Sequence, residues 1–98
     1  MPSYHLTDVE ARHRESPSTF VIPDLTSRQS LRPGDWAKVI VDDRERLWVL
    51  ITEAACYHYR ATVLQVPVIV DLKKDDIIEL HPEHVADIVW SSSKPYAN

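Results

Sequence analysis

Ninety-eight residues allow one compact domain with a small core, since a chain of this size buries only about 60 to 70% of the surface it exposes when unfolded. With 44% hydrophobic and 27% charged residues, the composition is that of an ordinary globular protein and excludes disorder as the ground state. Eleven Lys and Arg against fifteen Asp and Glu give a net charge of −4, which repels a phosphate backbone on average, and a single glycine excludes the P-loop and dinucleotide-binding turns, which need several.

The first thirty residues hold most of the Ser and Thr, three prolines and few paired apolar positions. They read as an arm. Thr7-Asp8-Val9-Glu10 fits a capping box with Thr7 at its head, but Ala11 to Glu15 supplies little apolar stripe for the helix it would start. Phe20-Val21-Ile22-Pro23 is short and apolar enough to dock as an edge strand, ended by a proline that lacks the ladder donor. A single helical turn fits between Thr26 and Leu31.

Leu31-Arg32-Pro33-Gly34-Asp35 is the clearest punctuation, because Pro presets the first central position of a tight turn and Gly accepts positive φ at the second. Trp36 to Val41 and Arg46 to Thr52 then read as strands joined by a charged hairpin loop. With Val41 opposite Arg46, Val39 and Trp48 would share one face and Ile40 and Leu47 the other. Both faces are apolar, so the inward one is not decided. Tyr57 to Val66 alternates with Tyr59, Ala61 and Val63 on one side. Pro67 interrupts it and sets Val68-Ile69-Val70 apart as a further bent strand. After the charged turn from Asp71 to Asp76 come Ile77 to Leu80, a helical turn at His81 to His84 and a last strand from Ala86 to Trp90.

Five to six antiparallel strands with one short helical turn before the last describe a mainly β domain, a small SH3-like barrel or roll carrying an N-terminal arm. The arm is expected over residues 1–24 and partly flexible, the barrel over 25–91, and a flexible tail over 92–98. Phe20 to Pro23, Leu31 to Val39, Glu45 to Thr52, Val66-Pro67 and Leu72 to Ile78 together resemble the YegJ-like family of small bacterial domains of unknown function. The resemblance spans roughly residues 20 to 90, most of a single domain. It implies a fold and no chemistry. In that pattern Asp75 occupies the glycine position of a second glycine-aspartate turn, which Asp can fill because it tolerates a left-handed backbone.

One cysteine, Cys56, permits no internal disulfide and points to a reducing compartment, the cytoplasm. The segment Met1 to Asp8 has no basic region followed by an apolar run, and no apolar stretch approaches the roughly 18 to 20 residues of a membrane span. Neither export nor membrane insertion is therefore expected. Two groups of side chains could carry function. His81 and His84, with Cys56 and His58, could hold a metal or activate the thiol, but no four-ligand spacing, orienting carboxylate or oxyanion-hole motif accompanies them. Trp36, Trp48, Tyr57 and Tyr59, rimmed by Arg60 and Asp35, combine the residue types that carry interface energy. The reading is a non-enzymatic domain, without cofactor or metal, that binds another protein through these six residues. A weak single-stranded nucleic-acid binder stacking bases on the same aromatics, with Lys38, Arg44, Arg46 and Arg60 on phosphates, is the alternative. The net charge disfavours it.

Overall fold

Alternation of inward and outward side chains, broken at Ile40, which is buried between Val39 and Val41, builds five antiparallel strands in the computed structural model, which describes residues 4–93. These are β1 (Trp36–Val41), β2 (Glu45–Ala55), β3 (His58–Val63), β4 (Ile77–Leu80) and β5 (Asp87–Val89). They form one mainly β unit in the order β4-β3-β2-β1-β5, with a 3₁₀ turn at Pro82–His84 between the last two. Among the described residues β4 and β5 remain edges, so the SH3-like roll is open rather than a closed barrel. The eleven-residue β2 serves both halves: its start pairs with β1 and its end with β3, across a register shift between Ile51 and Glu53 that bends the strand.

Ala37, Val39 and Val41 of β1, Leu47, Val49 and Ile51 of β2, and Tyr59, Ala61 and Val63 of β3 point into one core, joined by Ile78 and Leu80 of β4. Leu31, Leu72 and Val85 enter it from the connections. The hairpin register differs by one residue from the expected one. Val41 lies opposite Glu45, so Val39 pairs with Leu47 in the core and Lys38 with Trp48 outside. The turn is the cause: Asp42 and Asp43 both adopt left-handed φ, 55° and 58°, and the Arg44 N–H returns to the Val41 carbonyl at 3.0 Å. Only Asp42 to Arg44 are then left to the loop, and Glu45 joins the strand. Val68 to Val70, expected as a strand, belong to the long β3–β4 loop, where Glu45 takes the amides a sheet partner would have taken.

Two turns of one design feed strands into the sheet. At Arg32 to Asp35 the Asp35 N–H reaches the Arg32 carbonyl at 3.0 Å, and the Asp35 carboxylate accepts the Arg32 N–H at 2.9 Å. Lys73 to Asp76 repeats this with 3.1 and 2.8 Å. The third residue of each turn is left-handed, Gly34 at φ 99° and Asp75 at φ 73°. Each also docks on a neighbouring strand in the same way: Gly34 and Asp35 exchange amide bonds with Ile51, and Asp75 and Asp76 with Val63, all at 2.8 to 2.9 Å.

The arm packs against this sheet. Leu6 bridges to Val41, and the Thr7 N–H donates to the Ile40 carbonyl at 2.8 Å. β5 lines β1 from Trp36 to Lys38, so the arm covers the stretch of the same edge that β5 leaves open. α1 (Val9–Glu15) is capped by Asp8, whose carboxylate accepts the Ala11 N–H at 3.0 Å, and it buries Val9 completely. The expected cap, Thr7, is drawn away by Asp43, to which its hydroxyl donates at 2.7 Å. One further turn, α2 (Leu25–Arg28), is capped by Asp24. Phe20 to Pro23 form no strand and cross as a strap. Its Phe20 carbonyl is held by His13 Nδ1 at 2.7 Å and its Pro23 carbonyl by Arg28 Nε at 2.8 Å. Of the tail expected over 92–98, Ser92 and Ser93 belong to the 3₁₀ turn Ser91–Ser93, whose Ser91 amide is tied to Asp35, while residues 94–98 lie outside the described residues.

Arg28 is only 6% exposed, and its guanidinium also meets the Glu10 carboxylate and the Pro82 carbonyl. Beside it the Tyr59 hydroxyl donates to the Arg28 carbonyl at 2.9 Å and accepts the Leu31 N–H at 3.3 Å. Burial pushes the Tyr59 phenol pKa up, so it stays protonated to do both. Tyr59→Phe leaves those two buried backbone groups unpaired and is expected to cost ~1–3 kcal/mol in urea unfolding. Unchanged stability would mean the hydroxyl holds nothing.

Candidate functional site

Apart from Ile40, which is 2% exposed, the apolar residues on the outward side of the sheet are only half-buried or exposed among the described residues. Strand register lines up Val89, Trp36, Leu50, Thr62 and Ile77 as one row crossing all five strands. Ile77 is 66% exposed and the other four are half-buried. Trp48 lies beside the row, its ring centroid 6.3 Å from that of Trp36, tilted by 54°. Lys38 places its ammonium 5.0 Å from the Trp48 ring centroid, a cation–π contact. Charged groups flank the row. Lys38 and Arg46 stand toward the β1–β2 turn, and toward the β2–β3 turn Arg60 bridges Glu53 at 2.9 Å and Glu79 at 3.4 Å.

The six residues singled out in the sequence therefore separate. Trp36 and Trp48 share the outward face; Arg60 lies on the same face, engaged by two carboxylates. Tyr57 is 58% exposed in the two-residue β2–β3 turn, held at φ 58°, a backbone conformation costly for a bulky side chain. It stands about 17 Å of strand beyond Leu50 at ordinary strand rise. Tyr59 is 1% exposed and belongs to the core, and Asp35 is 5% exposed and spent on the Arg32 and Ser91 amides. Leu50, Ile77 and Val89 were missed. The signal was present in the doublets Ile77-Ile78 and Val49-Leu50: where two apolar residues are adjacent on a strand, alternation turns one of them inward and the other outward.

Two further features stand apart from the row. The Glu45 carboxylate accepts three successive amides, from Val68 at 2.8, Ile69 at 2.8 and Val70 at 3.1 Å. These bonds, led by the one from Val68, hold the Glu45 pKa below the usual carboxylate range and fix a loop whose Val66 and Val68 are 73% and 88% exposed. At the opposite end His58, His81 and His84 stack edgewise, with ring centroids 5.0 and 5.7 Å apart in turn. His81 Nδ1–H donates to the Tyr57 carbonyl at 2.8 Å, while His84 Nδ1 accepts the His81 backbone N–H at 3.0 Å. Among the described residues no three His, Cys, Asp or Glu side chains are disposed to hold a metal ion. Cys56 is exposed in the adjoining turn. No helix among the described residues is long and apolar enough to cross a membrane.

Comparison with protein-family models, curated proteins and solved structures found no match. The likeness to YegJ-like domains thus rests on the residues quoted for it.

The His84 ring carries a pH-dependence. Burial, opposed by Glu83 and assisted by His81, lowers its pKa below the ordinary 6.5. Its acceptor nitrogen also has no proton to spare while the His81 amide points at it. A depressed folded pKa means the unfolded chain takes up the proton first. The stability contribution is present above the unfolded value, declines as pH falls below about 6.5 and is gone once pH passes the folded value. His84→Asn keeps an acceptor at the same place without titrating. Urea midpoints measured from pH 8 to 5 should fall less steeply for this variant than for the wild type; parallel profiles would remove His84 as the origin.

Proposed function

We propose that this is a non-enzymatic binding domain of the cytoplasm that recognises another protein through the outward face of its sheet, centred on Trp36, Trp48 and Leu50. The observation that supports the reading most is the row across all five strands, apolar except at Thr62 and joined by Trp48, which pairs with Trp36, and bordered by Lys38, Arg46 and Arg60. A monomeric domain gains nothing from displaying such a row to water, whereas aromatic anchors inside a charged rim are the usual anatomy of a contact surface. An exposed, unpaired Cys56 is in keeping with a reducing compartment. Stacking of nucleic-acid bases is less well supported: Arg60 is neutralised by Glu53 and Glu79, and the chain carries a net charge of −4.

A photo-crosslinking residue at Ile77, 66% exposed at the end of the row, tests this in the native cell. A discrete protein adduct is expected at that position and not at the exposed Glu15 on α1. Trp36→Ala or Trp48→Ala should cut its yield about tenfold or more, the loss typical of an aromatic anchor, with the far-ultraviolet spectrum unchanged. A nucleic-acid adduct, no adduct, or the same adducts from Glu15 would end the proposal.

A further inference from the structure

A groove of about 500 Å³ opens on the other side of β5, away from the Trp36 row. One wall is the strap, Val21 to Pro23; the other is the edge strand itself, with Ile88 and Trp90. Three facts make this groove a built feature. The strap is pinned at both ends, by His13 on the Phe20 carbonyl and by Arg28 on the Pro23 carbonyl. Among the described residues no backbone bond joins it to β5. The strap also shows water its apolar side, with Val21 75% exposed.

The charge in this groove has one sign. Asp87 is the sole charged residue lining it, and it is exposed. The nearest basic side chain in register, Lys38, is turned over the Trp48 ring at 5.0 Å, and no ion pair neutralises Asp87 among the described residues. Asp87 instead accepts the amide of its own successor, Ile88, at 2.9 Å. That bond occupies a main-chain donor of an edge strand until something better replaces it.

We infer that the groove receives an extended peptide segment of a partner protein in which apolar residues alternate with Lys or Arg. The segment adds to the β5 edge, places its apolar side chains between the strap and Trp90, and sets a cationic side chain on Asp87. Strand addition supplies main-chain bonds along the edge, and the two apolar walls with the carboxylate supply selectivity. The groove shares β5 with the tryptophan face, since Asp87 and Val89 stand opposite Lys38 and Trp36, but Val21 to Pro23, Ile88 and Trp90 belong to the groove and not to the row, so substitution at Val21 reads the groove by itself.

The test is a nuclear magnetic resonance titration of the full isotope-labelled chain with an acetylated Lys-Val-Lys-Val-Lys-Val hexapeptide and with its Glu-Val counterpart. The basic peptide should move the Val21, Ala86 and Ile88 amides and the Trp90 indole, and bind about tenfold tighter than the acidic one, since attraction becomes repulsion at Asp87. Asp87→Asn retains the acceptor for Ile88 and should weaken the basic peptide about threefold, as befits a partly exposed pair. Val21→Ser, at an exposed position, should weaken both peptides without unfolding the chain, and Trp36→Ala should leave the titration as it was. No shifts at millimolar peptide, equal affinity for both peptides, or shifts centred on Trp36 and Trp48 would overturn the inference. So would concentration-dependent shifts without peptide, which would give the groove to a second copy. Binding seen only after removal of residues 94–98 would likewise assign it to the chain's own tail.

Discussion

A buried guanidinium holds this molecule together. Five short strands in an open roll cannot seal both ends of their core, and in a chain of this size the missing closure must come from segments outside the sheet. Arg28 draws three of them to one point: α1 through Glu10, the strap through the Pro23 carbonyl and the 3₁₀ turn through the Pro82 carbonyl. Tyr59 links that point to the sheet, because its ring is core and its hydroxyl ties the Arg28 carbonyl to the Leu31 amide. Charge burial of this kind is expensive and is tolerated only when every donor has a partner. No buried side-chain nitrogen or oxygen lacks one among the described residues. In exchange the arrangement is specific: the arm docks in one place, which a purely apolar contact of the same size would not require.

The two Asp-closed turns solve a related problem at the strand entrances. Each exchanges a pair of amide bonds with the strand it passes, Ile51 in one case and Val63 in the other, so β1 and β4 begin already in register. The left-handed residue is Gly34 in the first turn and Asp75 in the second. The Asp75 backbone adopts the left-handed conformation that glycine favours and that Asp tolerates. Gly34 also sits close to Ser91, 3.7 Å from where a Cβ would be. Asp35, between them, takes the Ser91 amide, and the first turn thereby anchors the end of the chain that leaves β5.

The strands, the Pro33-Gly34 turn and the helical turn at Pro82 were legible in the sequence because period-two alternation and proline position are local signals. The hairpin register was not. Trp36, Trp48 and Leu50 outward are as apolar as Val39, Leu47 and Val49 inward, and hydrophobicity alone could not choose between faces; two consecutive left-handed aspartates shortened the loop by one residue and chose instead. The arm was equally opaque, since its partners are distant in sequence: Asp43 takes Thr7 from the cap position and Arg28 reaches Glu10 across eighteen residues. The candidate surface was half legible. Aromatic content pointed to Trp36 and Trp48, but nothing local separates them from Tyr59, whose environment is made by Arg28 and Leu31.

The ambiguity that hid the register is the same property that suggests a contact surface. A sheet with one core needs one apolar face, and antiparallel sheets ordinarily give the other to water. Here the second face keeps a continuous row from Val89 to Ile77, while its charged residues are confined to the two flanks. The edges are treated differently from each other as well. β1 is covered jointly by β5 and by Leu6, whereas β5 faces a strap that approaches and does not pair. Stability alone would favour closing that last gap, since pairing the strap with β5 would satisfy more amides and hide Val21. The strap is instead fixed at both ends by His13 and Arg28, and those two bonds hold the gap open.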